Sequence, residues 1–126
     1  MLLFAGVDTA GNDSLWVTNG TASGTHELTG ISGAYAGGIF GGSTSFSPDF
    51  TKFNGEVLFD GLDAGGQNGL WVTNDTASGT HELTGISGAD ANGVLYNIAN
   101  PDFTVFNGKV LFDGRDATGE LWGVYG

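Results

Sequence analysis

Two histidines, His26 and His81, occupy the same place in two copies of the pentapeptide HELTG. An imidazole beside a carboxylate is where acid–base or zinc chemistry would be sought. The zinc-protease spacing H-E-x-x-H would need a second histidine where Gly30 and Gly85 stand. The segment also reads as a strand, whose adjacent side chains point to opposite faces, so His and Glu do not converge. No serine sits in a G-x-S-x-G elbow, and no G-x-x-x-x-G-K-[ST] phosphate loop is present. Residues found in one repeat only, such as Lys52, Lys109 and Arg115, do not make an active site. The chain therefore reads as a non-enzyme, its histidines serving packing or turn bonding.

The acidic loops offer a second chemistry. Asp8 and Asp13 bracket VDTAGND, Asp60 and Asp63 sit in FDGLDAGGQNG, and Asp113, Asp116 and Glu120 sit in FDGRDATGE. A hard cation such as Ca²⁺ takes several carboxylate and carbonyl oxygens from one flexible loop, which makes Asp8, Asp60, Asp63, Asp113 and Asp116 the candidate ligands. None of these loops matches the D-x-[DN]-x-[DN]-G pattern of a known calcium loop. The competing and favoured reading is that each Asp accepts hydrogen bonds from its own loop backbone. A third chemistry is sugar binding, which wants an aromatic platform beside amide and carboxylate groups. Trp16 with Asn12 and Asp13, and Trp71 with Asn68 and Asp63, have the residue types for it.

These residues are carried by internal repeats. Residues 15–34 read LWVTNGTASGTHELTGISGA and residues 70–89 read LWVTNDTASGTHELTGISGA, differing only at Gly20 and Asp75. Residues 49–60, DFTKFNGEVLFD, recur at 102–113 as DFTVFNGKVLFD, and a degenerate copy, LLFAGVD, opens the chain. Asn54-Gly55 and Asn107-Gly108 lie between apolar runs and predict type I′ hairpins, because both residues tolerate positive φ. Alternation then predicts four short strands per unit: 50–53, 57–60, 70–73 and 80–86 in the complete copy. Four antiparallel strands in a unit of this size predict a propeller-like blade. Trp16, Trp71 and Trp122 are expected at equivalent places, as are Phe4, Phe59 and Phe112, buried between blades.

The stretches LWVTNGTASGT and LWVTNDTASGT, each with a VLFDG-type hairpin, resemble bacterial tandem repeats of the type E-L-W-x-T-D-G-T-x-x-G-T. The resemblance implies β-propeller blades in large, often secreted or surface-associated proteins, and it brings no catalytic set. The chain departs from it at Asn19 and Asn74, where the motif has Asp, and at Asp75, where it has Gly; its leading Glu survives only as Glu120.

The expected domain is single, residues 1–126, made of a partial unit (1–48), a full unit (49–101) and a partial unit (102–126). It holds three, four and three strands, or two to three blades. A ring needs about four or more blades, and a lone arc would leave apolar faces and strand edges in water. The expected partner is therefore the chain itself. Homo-oligomeric closure of a propeller is the first reading, with a glycan-binding propeller and an open head-to-tail filament as alternatives. The linkers after the fourth strands, which carry Tyr35, Ile39, Phe40, Val94, Leu95, Tyr96 and Ile98, are expected to plug an exposed edge or to bind a ligand.

Composition agrees with an all-β chain. Its 24 glycines punctuate short strands, and the 40% hydrophobic content, with 9 Phe and 3 Trp, suffices for a core. With 14 acidic against 3 basic residues, giving a net charge of −11, nucleic acid and anionic membranes are poor partners. No cysteine is present, and no apolar run reaches bilayer length. A secreted or cell-surface location is favoured, with any export signal expected outside this chain, since Met1-Leu2-Leu3-Phe4 is too short for one.

Overall fold

The computed structural model describes residues 1–41 and 46–125, with the side chains of Leu121 and Trp122 outside that description. Ten strands are present: β1 (Leu2–Val7), β2 (Asp13–Thr18), β3 (Thr25–Glu27), β4 (Thr51–Phe53), β5 (Glu56–Leu62), β6 (Asn68–Thr73), β7 (His81–Glu82), β8 (Thr104–Phe106), β9 (Lys109–Arg115) and β10 (Leu121–Tyr125). They form three antiparallel meander sheets, β1-β2-β3, β4-β5-β6-β7 and β8-β9-β10. No described residue is helical, so the all-β expectation and the three-four-three strand count are met.

Local chemistry explains the turns. Asn54 and Gly55 have φ of 52° and 77°, and Asn107 and Gly108 have 53° and 71°, so both hairpins turn through the left-handed region. The TNxTASGT segments close on themselves. The Asn19 carboxamide oxygen accepts from the Thr21 N–H and hydroxyl, the Thr21 hydroxyl oxygen accepts from Gly24 N–H, and the Thr25 hydroxyl bonds the Thr21 carbonyl. Asn74, Thr76, Gly79 and Thr80 repeat every one of these bonds. A Cβ on Gly24 or Gly79 would lie 2.0 or 1.9 Å from the Asn19 or Asn74 side chain, which fixes glycine there. Gly20 and Asp75 both have positive φ, 91° and 73°. A non-glycine residue pays about 1 kcal/mol in that region, so Asp75→Gly is expected to stabilise the fold by that order in a chemical-denaturation midpoint.

The fourth strands are shorter than the sequence predicts. Pairing stops at Glu27 and Glu82, one further rung runs from Leu28 or Leu83 N–H to the Leu15 or Leu70 carbonyl, and Gly30 and Gly85 (φ 70° and 68°) then turn the chain away. The chain from there crosses to the next sheet. Leu62 N–H donates to the Ile39 carbonyl and Arg115 N–H to the Val94 carbonyl.

The sheets stack face to face through two cores. Leu15, Val17, Leu28, Ile39 and Phe40 pack with Phe59 and Trp71 between the first and second sheets. Leu58, Leu70, Val72, Val94 and Leu95 pack with Val110 and Phe112 between the second and third. The linker residues Ile39, Phe40, Val94 and Leu95 are thus buried core between sheets and Ile98 is also buried, while Tyr35 is exposed and Tyr96 half-buried. This corrects the expectation that the linkers plug the stack's outer edge: they fill its interior.

One register expectation is also corrected. Trp16 pairs with Phe4 and Trp71 with Phe59, but Trp122 pairs with Gly114, and a bulge follows before Val124 meets Leu111. The third loop reaches its tryptophan two residues sooner than the second, so Trp122 falls opposite the position of Gly61, not of Phe59.

Candidate functional site

Two of the clefts among the described residues are equivalent, one beside each of the first two sheets. The first, about 320 Å³, is bounded by Asp8, Asn12, Glu27, Thr29 and Tyr35 over an apolar floor that includes Ile31 and Ile39. The second, about 330 Å³, is bounded by Asp63, Gln67, Glu82, Thr84 and Asp90 over Ile86 and Val94. The repeat creates this equivalence: β3 and β7 aim Glu27 and Glu82 into the clefts and leave His26 and His81 exposed, as strand alternation requires. The HELTG histidines are therefore surface groups.

Glu82 leans over β6, where a Cβ on Gly69 would lie 2.1 Å from its carboxylate oxygen. Its pKa is raised to about 6, first by burial and then by the charge of Asp63. Gln67 donates to the Asn92 carboxamide oxygen at 3.2 Å, and Arg115 lies 3.9 Å from Asp90, so the second cleft holds a mixed polar rim.

The candidate cation ligands do not converge. One carboxylate oxygen of Asp8 accepts from the N–H groups of Ala10 and Asn12, that of Asp63 from Gly65 and Gln67, and that of Asp116 from Thr118 and Glu120. These bonds hold Asp116 below the usual carboxylate range, with the Thr118 hydroxyl the largest contributor. Asp60 is buried within β5 and accepts from the Asn68 amide at 3.0 Å, and Asp113 is exposed on β9. Among the described residues no three carboxylate or imidazole groups surround a cation-sized space. The structure does not gather the five carboxylates: three of them cap their own loops, the favoured reading of the sequence. Asp63→Ala is expected to cost about 1 kcal/mol through its lost backbone bonds, with Asp63→Asn closer to wild type and added calcium leaving the melting temperature unchanged.

The residues of the sugar platform are dispersed as well. Trp71 is fully buried against Phe59, so its face is not available; Asn68 is committed to Asp60 and Asp63 to its loop. Asn12 borders the first cleft, while the Asp13 carbonyl accepts from Phe40 N–H. Trp16 is half-buried and stacked on Phe4, on the face of the first sheet turned away from the second. The expectation that missed the clefts looked for an aromatic; the signal that would have found them is the recurrence of Glu27 and Glu82 opposite the Asp8 and Asp63 loops.

Among the described residues, apolar side chains are exposed on both outer faces of the stack. Leu2 is 65% exposed beside the Phe4–Trp16 pair at one end, and Leu111 and Val124 are 41% and 54% exposed at the other. Comparison with family models, curated proteins and solved structures gives no match.

Proposed function

We propose that this chain is a non-catalytic repeat module that associates with copies of itself, each sheet acting as one blade of an oligomeric β-propeller. The observation that carries the reading is the stack: two junctions built largely from the same repeat positions, with apolar side chains exposed on both outer faces among the described residues. The tandem motif with its TNxTASGT turn, similar to propeller-type repeats, supports it, as does the antiparallel meander of every sheet. Two chains would supply six sheets, within the ordinary range for a ring. A rotation per subunit that fails to close would give a filament instead. Light scattering over a range of concentrations tests the reading. A mass that rises and then holds at a multiple of 12.9 kDa fits a ring, growth without a plateau fits the filament, and a monomer at every concentration refutes both.

The equivalent clefts favour a second reading, a lectin-like module with one shallow site per sheet, because sugar hydroxyls pair well with carboxylates and amides above an apolar floor. A glycan array on the wild type and on Glu82→Gln tests it; no binding to any sugar removes it.

A further inference from the structure

The two open ends of the stack carry the two halves of the junction that joins the first and second sheets. One half is a cross-strand aliphatic pair. Leu3 pairs with Val17 in the first sheet, Leu58 with Val72 in the second, and Leu111 with Val124 in the third. The first two pairs face the following sheet and pack into the junction cores. The third occupies the same positions of its own sheet and stands in solvent at 41% and 54% exposure.

The other half is an aromatic ridge. Phe59 stacks on Trp71 at 6.1 Å and 24°, and both are wholly buried against the preceding sheet. Phe4 stacks on Trp16 at 6.2 Å and 28°, the same arrangement, half-buried and with no other sheet of the described residues against it. Gly61 lies against its ridge, where an added Cβ would touch Phe59, Trp71 and the preceding linker's Ile39; Gly6 lies against Phe4 and Trp16 in the same way. Leu2 stands where Val110 does in the third sheet, but is 65% exposed while Val110 is fully buried. The half-buried pair thus has the geometry of the buried one.

We infer that the Leu111–Val124 face of one copy docks on the Leu2–Phe4–Trp16 face of the next, continuing head to tail the stacking seen twice within the chain. This deepens the self-association reading and rests on it. The occupant is a second copy because each open face repeats the positions that already pack at the internal junctions, and because the faces differ from each other. An isologous contact would press aromatic ridge on aromatic ridge or aliphatic pair on aliphatic pair, which neither internal junction does. Shape complementarity of this kind concentrates binding energy in the aromatic members, Phe4 and Trp16.

Two variants test the pairing. Leu2→Asp spoils one face, and Leu111→Asp with Val124→Asp spoils the other; all three side chains are exposed, and far-UV circular dichroism checks that the sheets persist. A milder set, Leu2→Ser and Leu111→Ser with Val124→Thr, covers the case of misfolding. Each variant alone is expected to stay monomeric where wild type assembles, and a 1:1 mixture is expected to give a capped dimer that does not grow. Self-association of either variant alone, or a mixture that stays monomeric beside an assembling wild type, overturns the head-to-tail pairing while leaving self-association standing. A wild type that never assembles overturns both.

Discussion

Replacing Trp71 with alanine is expected to cost roughly 3–5 kcal/mol, the range for deleting a large aromatic from a packed core. Trp71 is wholly buried, stacks on Phe59, and belongs to the core that joins the first and second sheets. A loss of that size is a large part of a small domain's total stability, so the chain is expected to be partly unfolded at room temperature. Trp16→Ala provides the internal control. It removes the same residue type from the same paired position, but from a half-buried site at the open end of the stack. In dilute monomer it is expected to cost less than half as much, while abolishing assembly. Urea denaturation of the two variants at low concentration separates them; equal losses would mean that the first sheet's outer face is as buried as the inner junction.

The second large effect is on pH dependence. Asp60 lies within the second sheet with one carboxylate oxygen bonded to Asn68 and the other without a partner. Burial raises its pKa to about 8; the Asn68 bond works against this, and the charge of Asp49 adds to it. Because the folded value lies above the unfolded one, the unfolded chain releases this proton near pH 4 while the folded chain holds it. Stability is therefore full below the unfolded pKa, falls as pH rises by about 1.4 kcal/mol per pH unit, and levels off above the folded pKa. Asp60→Asn keeps an acceptor for Asn68 and removes the titration. The variant is expected to gain on wild type by several kcal/mol between pH 4 and pH 8, read as a widening gap in melting temperature. Comparing the two proteins cancels the contribution of other carboxylates such as Asp116, whose depressed pKa gives the opposite sign: its stability is present at neutral pH and lost on acidification. A constant gap would place Asp60 in a solvated setting.

The hairpins were legible because their cause is local. Asn54-Gly55 and Asn107-Gly108 announce positive φ at two successive residues, and the backbone takes it. The strand count and meander order followed from the repeat and its alternation. Burial was less legible, because it depends on place in the stack. Asp60 and Asp113 sit in identical LFDG segments, yet one is buried and the other exposed, since a further sheet covers only the first. The same reason separates Trp71, lost as a platform, from Trp16. The linkers 32–41 and 87–98 have no strand or helix period, so nothing in their pattern showed that Ile39, Phe40, Val94 and Leu95 are core. The loop before β10 is two residues shorter than its counterpart, and only the three-dimensional pairing revealed that Trp122 follows the hairpin end and not the earlier tryptophans.

Head-to-tail association requires that the two ends of the stack fit each other, and the chain's lack of cysteine allows that fit to be measured directly. Leu2→Cys and Leu111→Cys are made in separate chains, mixed in equal amounts and oxidised mildly. Their repeat counterparts, Val110 and Leu58, lie in one core cluster, so the mixed disulfide is expected as the main product, at twice the mass of one chain. Homodimers of either variant, or chains that remain unlinked at concentrations where wild type assembles, would contradict the account.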